Sequence, residues 1–238
     1  MKLENKTIFV SGANRGIGKS IVEALLKQPV IKIYAAARNV KDVPKFGDTR
    51  VVPVRLDITD LDLIKKAVDQ AQDVDLLINN AGVATSTSVI SGEPDMIKYD
   101  MNVNYFGTLN MIRSFVPVLE HRGIGAIANI ISIVGLASMF VSGGYCASKA
   151  ALFSATQAMR AELKAKNISV YGIFPGPIDT DMARNFDMPK TSAQVAAENI
   201  VKGIIAGQED IFPDPMSSQV GELWAKDPKG LERQFASM

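Results

Sequence analysis

Short apolar runs alternate along this chain with longer segments of helical spacing, and that alternation constrains the fold more than any other feature. The runs are TIFVSG (7–12), IKIYAAAR (31–38), VVPVRLD (51–57), VDLLINNAG (74–82), GAIANIISI (125–133) and ISVYGIFPG (168–176). DIFPD (210–214) is a candidate short last strand. Helical spacing occupies 18–28, 61–71, about 95–121, 145–166 and 192–207. Strands that are apolar throughout, separated by amphipathic helices, belong to a parallel sheet covered on both faces. Right-handed crossovers then give an α/β doubly wound sheet of about seven strands. No repeat or long linker divides the 238 residues, so the expectation is one domain over 1–238, with 177–192 as the longest loop.

Bulk properties exclude several functions. The net charge of +1 gives no excess of either sign for nucleic acid, a membrane surface or an acidic partner. One cysteine, Cys146, rules out an intrachain disulfide framework and fits a reducing compartment. With His121 as the sole histidine, a Cys/His metal site is not available, and no metal is expected. His121 reads as a solvated residue near a helix end, and Cys146 as a small buried hydrophobe. MKLENKTIFVSG lacks a signal-peptide pattern, and no apolar run reaches membrane-spanning length, so a soluble cytoplasmic protein is expected.

Ligands of open α/β sheets bind at the carboxyl ends of the strands. The first such end is VSGANRGIGKS, with Gly12, Gly16 and Gly18 between strand and helix. Glycines there allow a tight turn and close backbone approach, and the helix start offers free N–H groups to a pyrophosphate. An acid ending the second strand would select NAD. Here that strand ends Ala35, Ala36, Ala37, then Arg38. With Arg15 inside the turn, two guanidinium groups suit an adenosine 2′-phosphate, which favours NADP over NAD.

GYCASKAAL (144–152) sets Tyr145 and Lys149 at i and i+4 among small residues. That spacing puts both on one helix face. Alone, the pair could equally be an exposed tyrosine and lysine at a helix start.

Taken in order, the motifs resemble the short-chain dehydrogenase/reductase family in its common form of about 250 residues, and specifically NADPH-dependent carbonyl reductases. The resemblance covers roughly 3–205. SGANRGIG matches the glycine turn, with Ser11 for threonine. LDITD places Asp57 against adenine, and NNAG (79–82) closes the fourth strand beside the adenine ribose. VNYFGT carries Asn104, NIISIVG carries Ser132, and YCASK carries Tyr145 and Lys149. PGPIDTDM resembles the nicotinamide-side segment. The implied catalytic set is Asn104, Ser132, Tyr145 and Lys149. The implied cofactor set adds Gly12, Asn14, Arg15, Gly16, Ile17, Gly18, Arg38, Asp57, Ile58, Asn80, Ala81, Gly82, Pro175, Gly176, Ile178 and Thr180 to Tyr145 and Lys149.

In that resemblance Tyr145 is the general acid for a carbonyl and Ser132 holds the substrate oxygen. Lys149 binds the nicotinamide ribose, and Asn104 supports a water chain to Lys149 from an irregularity in its helix. A nearby ammonium and an oxidised nicotinamide would lower the phenol's pKa from about 10 toward neutrality. Other enzyme readings remain: oxidation of a steroid, sugar or hydroxyacyl alcohol. A non-catalytic dinucleotide sensor or scaffold is the alternative from another class. The resemblance also implies a homodimer or homotetramer through the helices at about 95–121 and 145–166.

Substrate choice is expected in 83–88, 136–143 and the loop 182–192, with Met139, Phe140, Phe186 and Met188 as candidate walls. The family's usual C-terminal sequence is replaced by a segment over 208–238. In it DPKGLERQF reads as a helix with Asp227 as N-cap, Pro228 at its first position, and Leu231 and Phe235 on one face.

Overall fold

The computed structural model describes residues 1–184 and 187–237. Seven parallel strands form the main sheet: β1 (Thr7–Ser11), β2 (Lys32–Ala37), β3 (Val51–Arg55), β4 (Leu76–Asn79), β5 (Gly125–Ile130), β6 (Ile168–Ile173) and, after two minor strands, β9 (Asp210–Ile211). Their order is β3-β2-β1-β4-β5-β6-β9. The winding reverses between β1 and β4, where Val10 pairs with Ile78. The carboxyl ends of these two strands therefore flank the crevice in which such sheets bind ligands.

Both faces of the sheet are covered, as apolar strands require. Alternate residues of β1 point opposite ways. Ile8 and Val10 join a core with Ile21 and Leu25 of α1 (Gly16–Leu26) and Ile200 and Ile204 of α6 (Ala193–Ala206). Phe9 joins the other core with Ile64 of α2 (Leu61–Gln70), Phe115 of α4 (Thr108–His121) and Met159 of α5 (Gly143–Lys164). Ser192 caps α6 by accepting from Val195 N–H, and Gly207 ends it in the left-handed region.

The helix expected over 95–121 is α3 (Pro94–Met101), a π-helical stretch Asn102–Gly107, and α4. This is the irregularity that the resemblance implied near Asn104. The helix expected at 18–28 runs instead over 16–26, starting inside the glycine turn and ending before Pro29. The long loop contains a parallel pair, β7 (Ile178–Asp179) with β8 (Thr191–Ser192), too short to leave a periodic signal. β9 stops at Ile211 rather than at 214, because Pro213 offers no N–H and Asp214 caps the next helix.

That helix, α7 (Pro215–Lys226), is absent from the sequence reading. Its signals were present: Asp214 caps it, Pro215 stands at its first position, and Ser217 completes a capping box. α8 (Pro228–Ala236) follows as read, with Asp227 accepting from Gly230 N–H and Leu231 and Phe235 buried. Together α7 and α8 bury Val220, Leu231 and Phe235 against Ile133, Phe153 and Phe174. The C-terminal segment thus packs on its own chain, over the site end of the sheet.

Candidate active site

A cavity of about 600 Å³ opens at the carboxyl ends of the strands. Every residue of the expected catalytic and cofactor sets lines it except Gly18 and Asn104. The glycine turn forms its floor. Gly12 and Gly16 hold φ of +65° and +54°, which favours glycine. A Cβ at Gly12 would come within 2.9 Å of Ala81 Cα, and one at Gly16 within 3.2 Å of Thr180 Cγ2. The turn is therefore pressed between the end of β4 and the Thr180 segment. Gly18 acts behind the wall: its Cβ would lie 2.2 Å from the Gly12 carbonyl oxygen.

Ser11 explains why a hydroxyl suffices at its position. Its Oγ accepts from Asn80 N–H at 3.0 Å and Ala81 N–H at 3.1 Å. Asn80 Nδ2 returns bonds to the Ser11 and Gly12 carbonyls, each at 3.0 Å. Beyond them, Asp57 turns its own loop by accepting from Thr59 N–H at 2.9 Å and the Thr59 hydroxyl at 2.7 Å.

The start of α1 fits a dinucleotide pyrophosphate. No acidic residue occupies its first turn, and its N-cap Arg15 makes no capping hydrogen bond with its side chain. The helix N–H groups and dipole are left to a ligand anion. Arg38 lines the adenosine end and makes no ion pair among the described residues. Arg15 differs from expectation. It pairs with Asp181 at 2.8 Å, and Arg184 binds the same carboxylate. Both members of the Arg15–Asp181 pair are about half exposed or more, so solvent screens the pair and it exchanges readily for another anion. Asn39 and Asp42, which sequence reasoning missed, line the same end, with Asn39 Nδ2 donating to Asp42 Oδ1 at 3.1 Å.

Tyr145 and Lys149 stand one turn apart on α5. Lys149 Nζ lies 5.7 Å from the Tyr145 ring centre and donates to the Ile130 carbonyl at 2.8 Å. Burial pushes the Lys149 ammonium down to about 8, against the attraction of the Asp100 charge. Burial also pushes the Tyr145 phenol above its ordinary value, with the Ser132 hydroxyl pulling the other way. This reverses the expected direction. Lost hydration of the phenolate outweighs the Ser132 hydrogen bond, and the Cys146 and Asp100 charges push the same way as burial. The phenol is only partly covered and lines the cavity.

Ser132 Oγ donates to the Pro175 carbonyl at 3.3 Å and accepts from Val134 N–H at 3.3 Å. Asn104 is buried outside the cavity wall. Its Oδ1 accepts from Val83 N–H, and its Nδ2 donates to the Val83 carbonyl and Ser148 Oγ, all at 2.9 Å. It thereby fixes the loop after β4 to α5, and Gly82 permits the approach, since a Cβ there would lie 2.9 Å from Asn104 Oδ1.

Gly176 N–H donates to Asp214 Oδ2 at 2.8 Å, tying the cavity wall to the start of α7. Of the candidate substrate walls, Met139 and Met188 line the cavity. Phe140 does not: it is 65% exposed, on the 3-10 turn Phe140–Ser142 that precedes α5. Phe186 lies outside the described residues. The residues missed from the C-terminal segment are Met216, Gln219, Val220 and Leu223 of α7 and Gln234 and Phe235 of α8.

With this geometry in hand, comparison with known proteins identifies relatives. A family model described as short chain dehydrogenase matches residues 6–190. An NADP-dependent 3-hydroxy acid dehydrogenase of Schizosaccharomyces pombe is 32% identical over 194 residues, covering 76% of this chain and 75% of that protein. A short chain dehydrogenase from Burkholderia cenocepacia, solved in complex with NADP, superposes with a TM-score of 0.93 at 36% identity, covering 99% of each chain. A Burkholderia phymatum short chain dehydrogenase/reductase in complex with NAD, 22% identical with a TM-score of 0.83 over 95% of each chain, shares the fold.

Proposed function

The chain belongs to the short-chain dehydrogenase family, and from that premise we propose that it is an NADP(H)-dependent oxidoreductase that reduces an uncharged ketone or aldehyde. The observation that carries this reading is one cavity walled by the glycine turn at one end and by Ser132, Tyr145 and Lys149 at the other. The whole chain is taken as one catalytic domain.

When bound, a reduced nicotinamide supplies the hydride for the carbonyl carbon. The protein's part is to hold the oxygen and deliver a proton. Ser132 holds the carbonyl oxygen by a hydrogen bond. Tyr145, kept as a neutral phenol by burial, gives its proton to the alkoxide as negative charge develops there. The phenolate left behind is stabilised by the Lys149 ammonium on the same face. Asn104 positions the loop that borders both residues.

The substrate end supports an uncharged, largely apolar compound. Met139, Met188, Leu223 and Phe235 line it, with Gln219 and Gln234 as polar groups from α7 and α8. Lys149 is the one cation of the described lining at that end, and its ammonium is engaged with Ile130. A substrate carboxylate would find little to pair with. NADPH consumption should therefore be faster with apolar ketones than with 3-oxo acids of the same length. Turnover confined to the acids, or none with any carbonyl compound or with any alcohol and NADP, would overturn the reading.

NADP preference rests on Arg38 and on Ala37 where an acid would select NAD. A charge-assisted bond contributes about 1.5–3 kcal/mol, or roughly tenfold to a hundredfold in affinity. Arg38→Ala should weaken NADPH by that factor and spare NADH, and Ala37→Asp should favour NADH. Dissociation constants of both cofactors test this; equal losses for the two would show that Arg38 does not meet the 2′-phosphate.

We place the enzyme in the cytoplasm, since its lone cysteine fits a reducing compartment and no described helix is long and apolar enough to cross a membrane. We propose that it pairs as a homodimer or homotetramer through α4 and α5, whose outer faces leave Leu109 and Val116 of α4 and Ala155 of α5 partly exposed.

A further inference from the structure

Asp100, in the last turn of α3, is wholly buried, and no step above uses it. Its Oδ1 accepts from Thr85 N–H at 3.2 Å and its Oδ2 from the Thr85 hydroxyl at 2.6 Å. With that proton committed, the Thr85 oxygen is the acceptor in its 2.8 Å contact with the Thr87 hydroxyl, which shares its one proton between this oxygen and the Thr85 carbonyl at 3.3 Å. The Thr87 carbonyl then accepts from Gly144 N–H at 3.2 Å. Gly144 is the second residue of α5 and precedes Tyr145. Ser142, the N-cap of α5, makes no capping hydrogen bond with its side chain, so Thr87 satisfies an amide that the helix start leaves open.

The carboxylate also lies against that first turn. A Cβ at Gly144 would stand 3.4 Å from Asp100 Oδ2. The positive end of the α5 dipole therefore meets a buried negative charge. The ionisable groups facing Asp100 come from α5: Tyr145, Cys146 and Lys149. The loop 83–88 and the end of β5 contribute none, and Asp95, Lys98 and Tyr99 of α3 are exposed.

Resting on the oxidoreductase reading, we propose that Asp100 is a positioning residue of this site: through Thr85 and Thr87 it fixes the start of α5, and it sets a buried carboxylate against the first turn of the helix that carries Tyr145 and Lys149. The electrostatics agree from both partners. The Asp100 charge raises Lys149 against its burial. Burial raises the Asp100 carboxyl, while the two Thr85 bonds and the Lys149 charge hold it down. The chain of hydroxyls ending on a carboxylate polarises in one direction, which strengthens each link.

Asp100→Asn removes the charge while its amide keeps both Thr85 contacts, accepting from the N–H and donating to the hydroxyl. Titration of Lys149, read by NMR on lysine-labelled protein and assigned with Lys149→Met, should fall by about one pH unit in this variant. The alkaline limb of the reduction profile should move the same way. Thr85→Val retains the carboxylate and its bond from the Thr85 N–H but cuts the hydroxyl chain; it should lower kcat while lowering the Lys149 midpoint less than Asp100→Asn does. An unmoved midpoint in Asp100→Asn, or an equal fall in Thr85→Val, overturns the proposal. Should Asp100→Asn not fold, reciprocity supplies the same test in another background: Lys149→Met should raise the Asp100 carboxyl midpoint, and no change would overturn it. These titrations need no substrate. Absence of any turnover by the wild type would overturn the oxidoreductase reading while leaving them decisive for Asp100.

Discussion

Tyr145→Phe should retain the fold and the affinity for NADPH while losing most turnover. Only a hydroxyl is removed, from a side chain that is partly open to the cavity, so packing changes little. What disappears is the phenolic proton donor that lines the cavity together with Ser132. General acid–base catalysis contributes about a hundredfold to ten-thousandfold, and kcat should fall within that range. Burial keeps the phenol protonated, which suits a general acid more than a general base. The wild-type rate of reduction should accordingly hold on raising the pH from neutrality until Lys149 loses its proton near 8. Steady-state kinetics over a pH series, with NADPH titrated by fluorescence, test both statements. A phenylalanine variant with near wild-type kcat would remove Tyr145 from the chemistry.

The parts of this site legible in the sequence are those written in local spacing. A glycine turn between a strand and a helix, and a tyrosine four residues before a lysine, imply contacts that one or two helical turns guarantee. The sheet was legible because its strands are apolar throughout, a pattern that only double coverage explains. The rest depends on contacts between distant residues. Arg15 lines the cavity as its motif implies, and its pairing with Asp181 is a contact that no local pattern announces. The phenol was expected to be lowered by its neighbouring ammonium, but burial, a tertiary quantity, dominates. Phe140 looked like a substrate wall from its place in the chain, and the turn carrying it leaves it exposed. α7 is harder to read: Asp214 and Pro215 mark its start, but two serines and Gly221 within its twelve residues weaken its helical propensity. Without it the helix pair that closes the substrate end stays hidden.

Lys149→Met should abolish most turnover and at the same time change how stability depends on pH. In the folded protein Lys149 titrates near 8, against 10.5 for an ordinary lysine. Below about 8 both folded and unfolded states hold the proton, and the full cost of burying the ammonium, about 3 kcal/mol, weighs against folding. Between 8 and 10.5 the unfolded state binds more protons than the folded one, so stability rises with pH. Above that window both are neutral and the cost is gone. Methionine never pays it. The wild type should therefore gain about 3 kcal/mol of stability relative to the variant as the pH climbs from 7 to 10.5. The absolute difference at neutrality is smaller than the burial cost alone suggests. Methionine leaves the Ile130 carbonyl without its partner, at about 1–3 kcal/mol, and leaves Asp100 without its counter-charge. Cys146 and Tyr145, both raised by burial, lower stability at alkaline pH in both proteins and cancel in the difference. Urea unfolding of the two proteins over this range is the measurement. A difference that stays constant with pH would mean that Lys149 is hydrated in the folded state, and that its ammonium is not held at the expense of stability for the sake of the phenolate.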